Sequence, residues 1–463
     1  MAFTDRLHNR GSISTGYDID NSLKFESNNS EHLHRTPSSA GNTKTWTYSV
    51  WVKRTELGVS AQLISALDTY MYFETNDQAW LNFRSGGENF FLATNRVFRD
   101  TSAWYHVVIV CDVTDSTAAD RAKLYINGVR ETSYANTTYQ NLDSNDTTGI
   151  NAATVHRVGS YSNYGSYFNG YMAEAHLIDG QALDPTYFGE FDQVTGIWKP
   201  KAYTGSYGTN GFYLDFSDGA NLGDDTSGNG NNFTEASITA ADQSTDTPTN
   251  NFCTFNPLMY QNNKPTITEG AMKSTGGGGT WNQTWGTIGI KNGKWYYEMK
   301  VTNTSSTGYI GASTTPAEGS STSGSSLMYD TSFMMGTASG IDYYYWQNGS
   351  QTSNEATGWG NLVNNDVLGL ALDLDASTKK FYLYKNGSLL NSGGTNLPTN
   401  MQDEFIFPLY VQYENRQDEI NFGGYTTSTI SSAETDENGY GTFEYAPPSG
   451  YYALCTKNLA EYG

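Results

Sequence analysis

Short segments that alternate apolar and polar residues recur along the chain, separated by turns rich in glycine and asparagine. Trp46–Val52 alternates large and small side chains with a period of two, and Lys294–Val301 is a run of aromatic, β-favouring residues. Such alternation is typical of half-buried strands. Long 3.6-residue repeats are absent, and only Ala182–Phe191, with Asp184-Pro185 near its start, is predicted as a short helix. Many short strands with frequent turns favour an all-β sandwich.

Two predicted hairpins occupy equivalent places in the two halves of the chain. Lys123–Ile126 leads into Asn127-Gly128, and Phe381–Lys385 leads into Asn386-Gly387. Asn-Gly supplies the two positive-φ residues of a type I′ turn, whose twist matches that of the flanking strands. Each hairpin follows an apolar segment that closes on an aspartate, so the two halves are predicted to share an architecture.

Composition narrows the classes of partner. The 463 residues carry a net charge of -22, and charged residues make up only 16% of the chain, against about 25% in typical domains. The polar surface must therefore come from Ser, Thr, Asn, Gly and Tyr, a set that makes adaptable contacts in antibody loops. Because phosphate binding needs clustered Lys and Arg and no basic stripe is present, nucleic acid and anionic membranes are not expected as partners.

The cysteines and the apolar runs indicate a protein made in a cytosol. Cys111, Cys253 and Cys455 are far apart and odd in number, so neither a disulfide framework nor a zinc site is expected. Cys111 ends an apolar run and is predicted to be a small buried residue. The first residues contain no apolar signal region, and no stretch reaches the roughly 18 apolar residues of a membrane span.

Five short pieces in the first half occur in the order found in laminin G-like, concanavalin A-like domains. They are Ser22–Glu26, Tyr48–Val52, Trp104–Val107, Lys123–Gly128 and Phe168–Glu174. Together they span about residues 20–215, and this half resembles that family. The resemblance implies a jelly-roll sandwich of a kind that often binds glycans or proteins.

Another set of pieces, between about 270 and 424, resembles SPRY domains. They are Lys294–Glu298, Tyr309–Gly311, Asp366–Asp375, Phe381–Gly387 and Ile420–Gly423. The resemblance implies a second jelly-roll sandwich that serves as an interaction module. Asn365 stands where that family often has glycine before the aspartate of its central motif, so no peptide-binding loop of the family is transferred.

The C-terminal residues Pro447–Leu459 are similar to the ends of structural proteins in marine tailed bacteriophages. A laminin G-like module followed by a SPRY module is also similar to such proteins. This resemblance implies a virion surface protein that is assembled in the host cytoplasm, as a tail fibre, head fibre or capsid decoration. Its expected partners are other virion proteins and a host-surface glycan or protein, and it is expected as a homo-oligomer or in multiple copies.

The predicted fold class is therefore all-β, with two tandem concanavalin A-like jelly-roll sandwiches. An N-terminal arm (1–20) precedes the laminin G-like sandwich (21–216). A linker rich in Asp, Asn, Gly and Thr (217–265) leads to the SPRY-like sandwich (266–424). Residues 425–463 are predicted to be a C-terminal docking segment.

Two aromatic patches are the candidate ligand-binding residues. In the first, Tyr343 and Tyr345 would face one side of a strand, and Tyr344 and Trp346 would face the other. One pair should be core, and the outer pair could stack on a sugar ring or a partner protein. The second patch lies in a Gly/Ser/Asn loop and consists of Tyr161, Tyr164 and Tyr167.

No cofactor is expected, with calcium as the one candidate. Five residues of the predicted linker could offer oxygen ligands to Ca²⁺, and they are Asp218, Asp224, Asp225, Asn229 and Asn231. Their spacing is not that of an EF-hand, and an Asx-rich turn is the alternative. His32 and His34 flank Leu33 and would share a strand face, as an inter-strand polar pair or as metal ligands.

No catalytic residues are predicted. The chain has no G-x-S-x-G elbow, and Glu190-Phe191-Asp192 begins a glucanase-like Glu-x-Asp-x-x-Glu pattern that fails at Thr195. His106 is predicted to be a strand residue and not a base. The leading hypothesis is a host-binding virion protein. The alternatives are an architectural virion connector or decoration without a ligand, docked through its two ends, and a glycan hydrolase on the concanavalin A-like fold.

Overall fold

The computed structural model describes residues 16–463 except 86–87, 139–141, 144, 162–164, 263, 277–280, 305, 315–331, 337–340, 348–349, 357, 415 and 428. It separates into two compact units, and the break between them falls between Thr249 and Asn250. The described part of the first unit is 16–249, and that of the second is 250–463. In the described residues, no helix is long and apolar enough to span a bilayer.

The first unit is built from antiparallel strands joined by turns and short 3₁₀ segments. Its strands are β1 (Ser22–Phe25), β2 (His32–Arg35), β3 (Thr45–Arg54), β4 (Ala61–Ala66), β5 (Thr69–Phe73), β6 (Gln78–Ser85), β7 (Glu88–Val97), β8 (Trp104–Asp112), β9 (Ala122–Ile126), β10 (Val129–Arg130), β11 (Tyr134–Thr138), β12 (His156–Val158), β13 (Ser160–Tyr161), β14 (Ser166–Tyr167), β15 (Gly170–Asp179), β16 (Gly189–Phe191), β17 (Trp198–Pro200), β18 (Phe212–Leu214), β19 (Thr234–Ala236) and β20 (Gln243–Ser244). The 3₁₀ segments are Ser27–Asn29, Ala118–Asp120, Pro185–Tyr187 and Ala240–Asp242.

These strands form a sandwich of two large sheets. Sheet A has the order β10-β9-β8-β3-β15-β1-β20, with β18 also paired to β15, and sheet B has the order β11-β7-β6-β5-β4-β12-β2-β19. Each sheet turns its apolar side chains toward the other, so Tyr48 and Val50 of sheet A share one core with Met71 and Leu81 of sheet B. The alternating pattern of the sequence therefore produces the predicted two-layered β core.

The second unit is also all-β, apart from a 3₁₀ turn at Thr399–Met401 and a C-terminal helix. Its strands are β21 (Phe255–Asn262), β22 (Thr266–Thr268), β23 (Lys273–Thr275), β24 (Trp281–Gly286), β25 (Lys294–Lys300), β26 (Gly308–Ser313), β27 (Ser332–Met335), β28 (Asp342–Gln347), β29 (Ser350–Ala356), β30 (Val367–Asp373), β31 (Lys380–Lys385), β32 (Ser388–Leu389), β33 (Thr395–Asn396), β34 (Phe407–Tyr413), β35 (Glu419–Asn421) and β36 (Tyr452–Ala453), and the helix is α1 (Thr456–Tyr462).

Two large sheets face each other in this unit as well. Sheet C has the order β21-β24-β34-β26-β27-β28-β29. Sheet D has the order β22-β23-β35-β25-β30-β31-β32, with β33 also paired to β31 and β36 to β25. Between them Phe333 of sheet C stacks on Phe381 of sheet D at a centroid distance of 4.8 Å, and the Tyr297 hydroxyl donates to the Gly311 carbonyl at 2.6 Å. The all-β fold with two sandwiches is confirmed.

The two Asn-Gly hairpins have the same local geometry. Asn127 and Asn386 both have φ of 49°, and the glycines that follow have φ of 76° and 74°, as a type I′ turn requires. Each asparagine side chain also accepts a hydrogen bond of 2.8 Å from the backbone N–H at the start of a neighbouring strand, His106 in one unit and Val367 in the other. The repeated architecture inferred from the sequence is therefore present at the level of single hydrogen bonds.

The first of these glycines gives a stability prediction. A Cβ atom on Gly128 would lie 2.3 Å from the Trp198 ring, whereas one on Gly196, with a similar φ of 71°, would meet open space. We expect Gly128→Ala to lower the free energy of unfolding of the first unit by about 2–4 kcal/mol, since left-handed strain and overpacking add. Gly196→Ala should cost only about 1 kcal/mol. Urea unfolding of both variants measures the difference, and equal costs would contradict the packing described.

The structure differs from the predicted linker 217–265, because it places residues 217–249 inside the first unit. Strand β19 adds to the edge of sheet B, and β20 adds to the edge of sheet A. The physical reason is charge pairing. Asp242 accepts from Lys24 at 2.7 Å and Asp246 accepts from Lys53 at 2.7 Å, and all four side chains are buried. Residues 255–262 form β21, so they belong to sheet C.

The predicted C-terminal docking segment 425–463 is likewise part of a folded unit. Strand β36 pairs in parallel with β25, and Tyr451, Ala453 and Cys455 are buried against Tyr296 on the outward face of sheet D. The apolar C-terminal run therefore covers sheet D of its own unit. Of the predicted N-terminal arm, 1–15 lies outside the described residues, and Ile19 is tied to the first unit by two hydrogen bonds of 3.0 Å with the Thr249 hydroxyl.

The predicted helix over Ala182–Phe191 is replaced by shorter elements. Asp184 caps a single 3₁₀ turn at Pro185–Tyr187, and the Asp184 carboxylate accepts from the Thr186 N–H at 2.8 Å. The chain then leaves the helical conformation because Gly189 packs directly against the Trp198 indole and β16 pairs with β17. Asp184 therefore starts a helical turn, as predicted, but the pairing of β16 with β17 ends it after one turn.

Candidate functional site

The outward face of sheet B carries a continuous row of non-core side chains. Because successive residues of a strand point to opposite faces, the neighbours of the core residues Leu33, Val158, Met71 and Leu81 point away from the core. The strand register aligns one such residue from each of six adjacent strands, in the order His34, Arg157, Ser65, Tyr70, Asn82 and Phe91. We call this surface the outer face of sheet B.

Five aromatic rings form a connected group on this face, which we call the aromatic platform. Its members are Tyr161, Tyr70, Tyr72, Trp80 and Phe91. The successive centroid distances are 4.8, 5.6, 5.7 and 4.9 Å. Tyr161 and Tyr70 are buried beneath their neighbours, whereas Tyr72, Trp80 and Phe91 are half-exposed. The platform therefore offers solvent partly exposed rings that are inclined to one another by 31–81° and held in place by ring-on-ring packing.

Several polar atoms around the platform have no hydrogen-bond partner. These are the Trp80 indole N–H, the Asn82 carbonyl oxygen and the Gln62 carbonyl oxygen. Asn82 is held in place by its amide N–H, which donates to the Tyr70 hydroxyl at 2.5 Å. These atoms are buried, and a buried polar group without a partner costs about 1–3 kcal/mol.

One end of the face is cationic. The Arg157 guanidinium donates to Nε2 of His32 at 2.8 Å, and a guanidinium has no acceptor, so the proton of His32 must sit on Nδ1, which donates to the Ser30 carbonyl at 2.9 Å. Burial, reinforced by Arg157, holds the pKa of both His32 and His34 below the usual range. Both rings are therefore neutral at pH 7, and Arg157 supplies the positive charge. The two rings lie 5.5 Å apart, as their shared strand face predicted.

The predicted tyrosine patch of the first unit is partly joined to this face. Tyr161 belongs to the aromatic platform but is almost fully buried against Tyr70. Tyr167 is half-buried, with its ring 5.9 Å from that of His32. Tyr164 lies outside the described residues. The sequence therefore located one edge of the surface and missed Tyr70, Tyr72, Trp80 and Phe91.

The predicted patch of the second unit divides between two faces of β28. Tyr343 is buried in the core beside Phe381, and Tyr345 lies on the same side and is half-buried. Tyr344 lies on the opposite face, half-buried against Tyr309 at a centroid distance of 5.4 Å. Trp346 lies on the same strand, and its side chain is outside the described part of the chain. Tyr344 is thus the described member that reaches an outward face.

The predicted calcium ligands lie in a loop that packs beside β18. The Asp225 carboxylate accepts from the backbone N–H groups of Tyr213, Ser227 and Asn231 at 2.8–3.0 Å. Asn229 and Asn231 both donate to the Gly211 carbonyl. Asp218 accepts from the Ala220 N–H, and Asp224 is half-buried. Within the described ranges, no group of three His, Cys, Asp or Glu side chains has the geometry of a metal site. Calcium binding stays a prediction.

Sheet A contains a buried serine–histidine pair, Ser49 and His106, whose hydrogen bonds hold strands and a surface hairpin together. The Trp198 indole donates to Nδ1 of His106 at 2.9 Å, so the ring proton sits on Nε2 and donates to the Ser49 hydroxyl at 2.8 Å. Burial lowers the pKa of His106 to about 3. A ring that donates to a serine cannot take the proton of that serine in the same arrangement. His106 lies on strand β8, as predicted.

A second buried cluster in sheet A fastens surface segments to the sheet. The Glu174 carboxylate, at a positive φ of 52° in a β-bulge, accepts from the hydroxyls of Tyr17 and Tyr213, each at 2.6 Å. Burial alone would raise the pKa of Glu174, but hydrogen bonds from His176 and both tyrosines hold it below its usual value. The adjacent cavity of about 250 Å³ contains Lys199, which is already paired with Glu190.

A search of the curated proteins found no match to the chain. Solved structures similar to it include the SPRY domain of human HERC1, the PSpry domain of TRIM65 and the native heptameric SAP-like pentraxin from Limulus polyphemus. Each is 16% identical and aligns with 36% of this chain, and the alignments cover 96%, 88% and 80% of those chains, with TM-scores of 0.27, 0.27 and 0.26. Residues 20–186 match the concanavalin A-like lectin/glucanases superfamily, and this part of the first unit has the concanavalin A-like fold that the sequence predicted.

Proposed function

We propose that the protein binds a glycan on the outer face of sheet B and acts as a recognition protein on a virion surface. The aromatic platform carries this proposal. The partly exposed rings of Tyr72, Trp80 and Phe91 are held rigidly by their mutual packing, and an exposed ring face among them can stack on the C–H face of a sugar. The match of residues 20–186 to a lectin-containing superfamily supports the same class of ligand.

The extent of the face favours an oligosaccharide over a single sugar. Adjacent strands lie about 4.8 Å apart, so six aligned residues span about 24 Å across the sheet. A chain of several sugars could therefore lie across the strands, with Phe91 near one end and Arg157 nearer the other.

The virion location is supported by the resemblance of Pro447–Leu459 to the ends of phage structural proteins. A single sugar site with a Kd of about 1 mM has a binding free energy near -4 kcal/mol. Repetition of the site on one particle raises avidity by ~10²–10⁴. Weak individual sites on a multicopy protein would therefore be sufficient for attachment to a cell.

Removal of the Trp80 side chain tests the binding site. We expect Trp80→Ala to weaken binding to the best ligand on an array of neutral and acidic oligosaccharides roughly 30-fold, as for an aromatic hot spot worth about 2 kcal/mol. Titration calorimetry measures the dissociation constant of the purified full chain. Trp80 lies outside the hydrophobic core of the first unit, so the variant should remain folded, and its thermal unfolding curve verifies this.

Tyr187→Ala is the matched control, because Tyr187 is an aromatic residue of the same unit that is 48% exposed and lies outside the platform. Its affinity should stay within twofold of the unaltered protein. If the protein bound no oligosaccharide on the array, or if both variants lost binding equally, the proposed function would be contradicted.

A further inference from the structure

From the charges on the outer face of sheet B we infer that the glycan it binds is acidic, and that Arg157 contacts a carboxylate or sulfate group of that glycan. This inference rests on the proposed function and specifies its ligand. The observation behind it is the environment of Arg157, which is half-exposed at the cationic end of the face.

Arg157 differs in its partner from three buried cations of the first unit. Lys24, Lys53 and Arg54 are buried, and each is paired with a carboxylate at 2.7–3.2 Å. Arg157 is instead held by the neutral ring of His32 at 2.8 Å, and among the described residues no carboxylate is within ion-pair distance of it. Arg35 and Arg121 also donate to neutral groups, so what makes Arg157 the candidate anion contact is its position on the outer face of sheet B.

The geometry leaves the guanidinium available to an anion. Nη1 is occupied by Nε2 of His32, and a guanidinium has further N–H donors suited to two-pronged recognition of a carboxylate or sulfate. Nδ1 of His34 has no hydrogen-bond partner, and the register places His34 directly beside Arg157. His32 therefore positions Arg157.

Two acidic residues that flank β5 are hydrogen-bonded to groups other than Arg157. The Asp68 carboxylate accepts from the Tyr161 hydroxyl at 3.4 Å. The Glu74 carboxylate accepts from the Thr75 N–H at 2.7 Å and from the Ser60 hydroxyl at 3.0 Å. In the part of the face whose side chains are described, the aromatic platform is combined with the Arg157 cation toward one end, and this combination suits a sugar chain with an anionic substituent.

Three tetrasaccharides on the full chain test the inference and separate the sources of the charge. The probes are β-1,4-tetramannuronate, uncharged β-1,4-mannotetraose of the same linkage, and a sulfated galactan tetrasaccharide. We expect at least one acidic probe to bind tenfold or more tightly than mannotetraose at low salt, with a preference that shrinks at high salt because ions screen the charge. The tighter of the two acidic probes identifies carboxylate or sulfate as the recognised group.

Arg157→Gln should reduce this preference to less than threefold while mannotetraose affinity stays within twofold, and Arg157→Lys should keep part of it. Thermal unfolding verifies that both variants are folded. Equal affinity for mannotetraose and both acidic probes, or a preference that survives in Arg157→Gln, overturns the inference and leaves the proposed function standing. No binding of any probe by a protein that also binds nothing on the array overturns both.

Discussion

Asp246→Ala is expected to lower the free energy of unfolding of the first unit by about 3–5 kcal/mol. The Asp246 carboxylate accepts from the Lys53 ammonium at 2.7 Å and from the Trp104 indole N–H at 3.1 Å, and the Lys53 side chain is fully buried. Alanine would remove the carboxylate that lies 2.7 Å from that buried ammonium. Hydrogen exchange of peptides from β3 and β8 under increasing urea measures the stability of this unit.

Two further variants show whether the cost comes from the unpaired charge. The double variant Lys53→Met and Asp246→Ala removes both charges and should recover much of the lost stability. Asp218→Ala, at an exposed aspartate of the same segment, should change the stability by less than about 1 kcal/mol. If Asp246→Ala cost no more than Asp218→Ala, residues 217–249 would not be the integral part of the sandwich described above.

The second large effect is expected in the other unit, where Asp418→Ala should also cost about 3–5 kcal/mol. Asp418 and Arg416 are fully buried, with the guanidinium Nε 2.8 Å from the carboxylate. The same carboxylate accepts from the Thr302 N–H at 3.2 Å and from the Tyr410 hydroxyl at 3.2 Å. Its loss would leave the Arg416 cation and two donors without their acceptor.

Hydrogen exchange of peptides from β25 and β34 follows this unit separately from the first. Asp403→Ala is the control because Asp403 is exposed on the same unit, and its stability should stay within about 0.5 kcal/mol of the unaltered chain. A loss confined to the second unit is the expected result for Asp418→Ala. An unchanged stability would show that the buried pair is not formed as described.

The sandwiches could be predicted because alternation alone determines which residues can share a core. Trp46–Val52 alternates over the length of β3, and the Asn-Gly turns fix two hairpins without reference to the rest of the chain. The domain boundary could not be predicted in the same way. Strands β19 and β20 are two or three residues long and polar, so they show no alternation.

What places these short strands is pairing over long separations in sequence. Asp246 and Lys53 are 193 positions apart, and the local sequence around either residue does not identify its partner. The C-terminal run was mispredicted for the same reason. Its local sequence resembles an exposed apolar segment, and only the tertiary structure shows that it packs on Tyr296. Local signals predicted elements, and the tertiary contacts determined where the units begin and end.

The candidate site was found only in part for a related reason. Tyr70, Tyr72 and Trp80 alternate with the apolar residues Met71 and Leu81, so both faces of these strands are apolar. A single strand with two apolar faces does not show which face is core, and only the register of β5, β6 and β7, together with the place of Tyr161 against Tyr70, brings the rings together. The sequence points to tyrosines in a Gly/Ser/Asn loop because they cluster there. One of them, Tyr161, belongs to the aromatic platform.

The central claim is that sugars bind on the aromatic platform, and the indole N–H resonance of Trp80 tests it most directly. Ten tryptophans are present, and Trp80→Phe identifies the Trp80 signal in a proton–nitrogen correlation spectrum. When the tightest-binding tetrasaccharide is added, the Trp80 signal should shift with the same dissociation constant as the calorimetric titration. The signal of Trp46, which is buried in the core and bonded to the Thr148 hydroxyl, should stay in place. Saturable binding that leaves the Trp80 resonance unmoved would contradict the account.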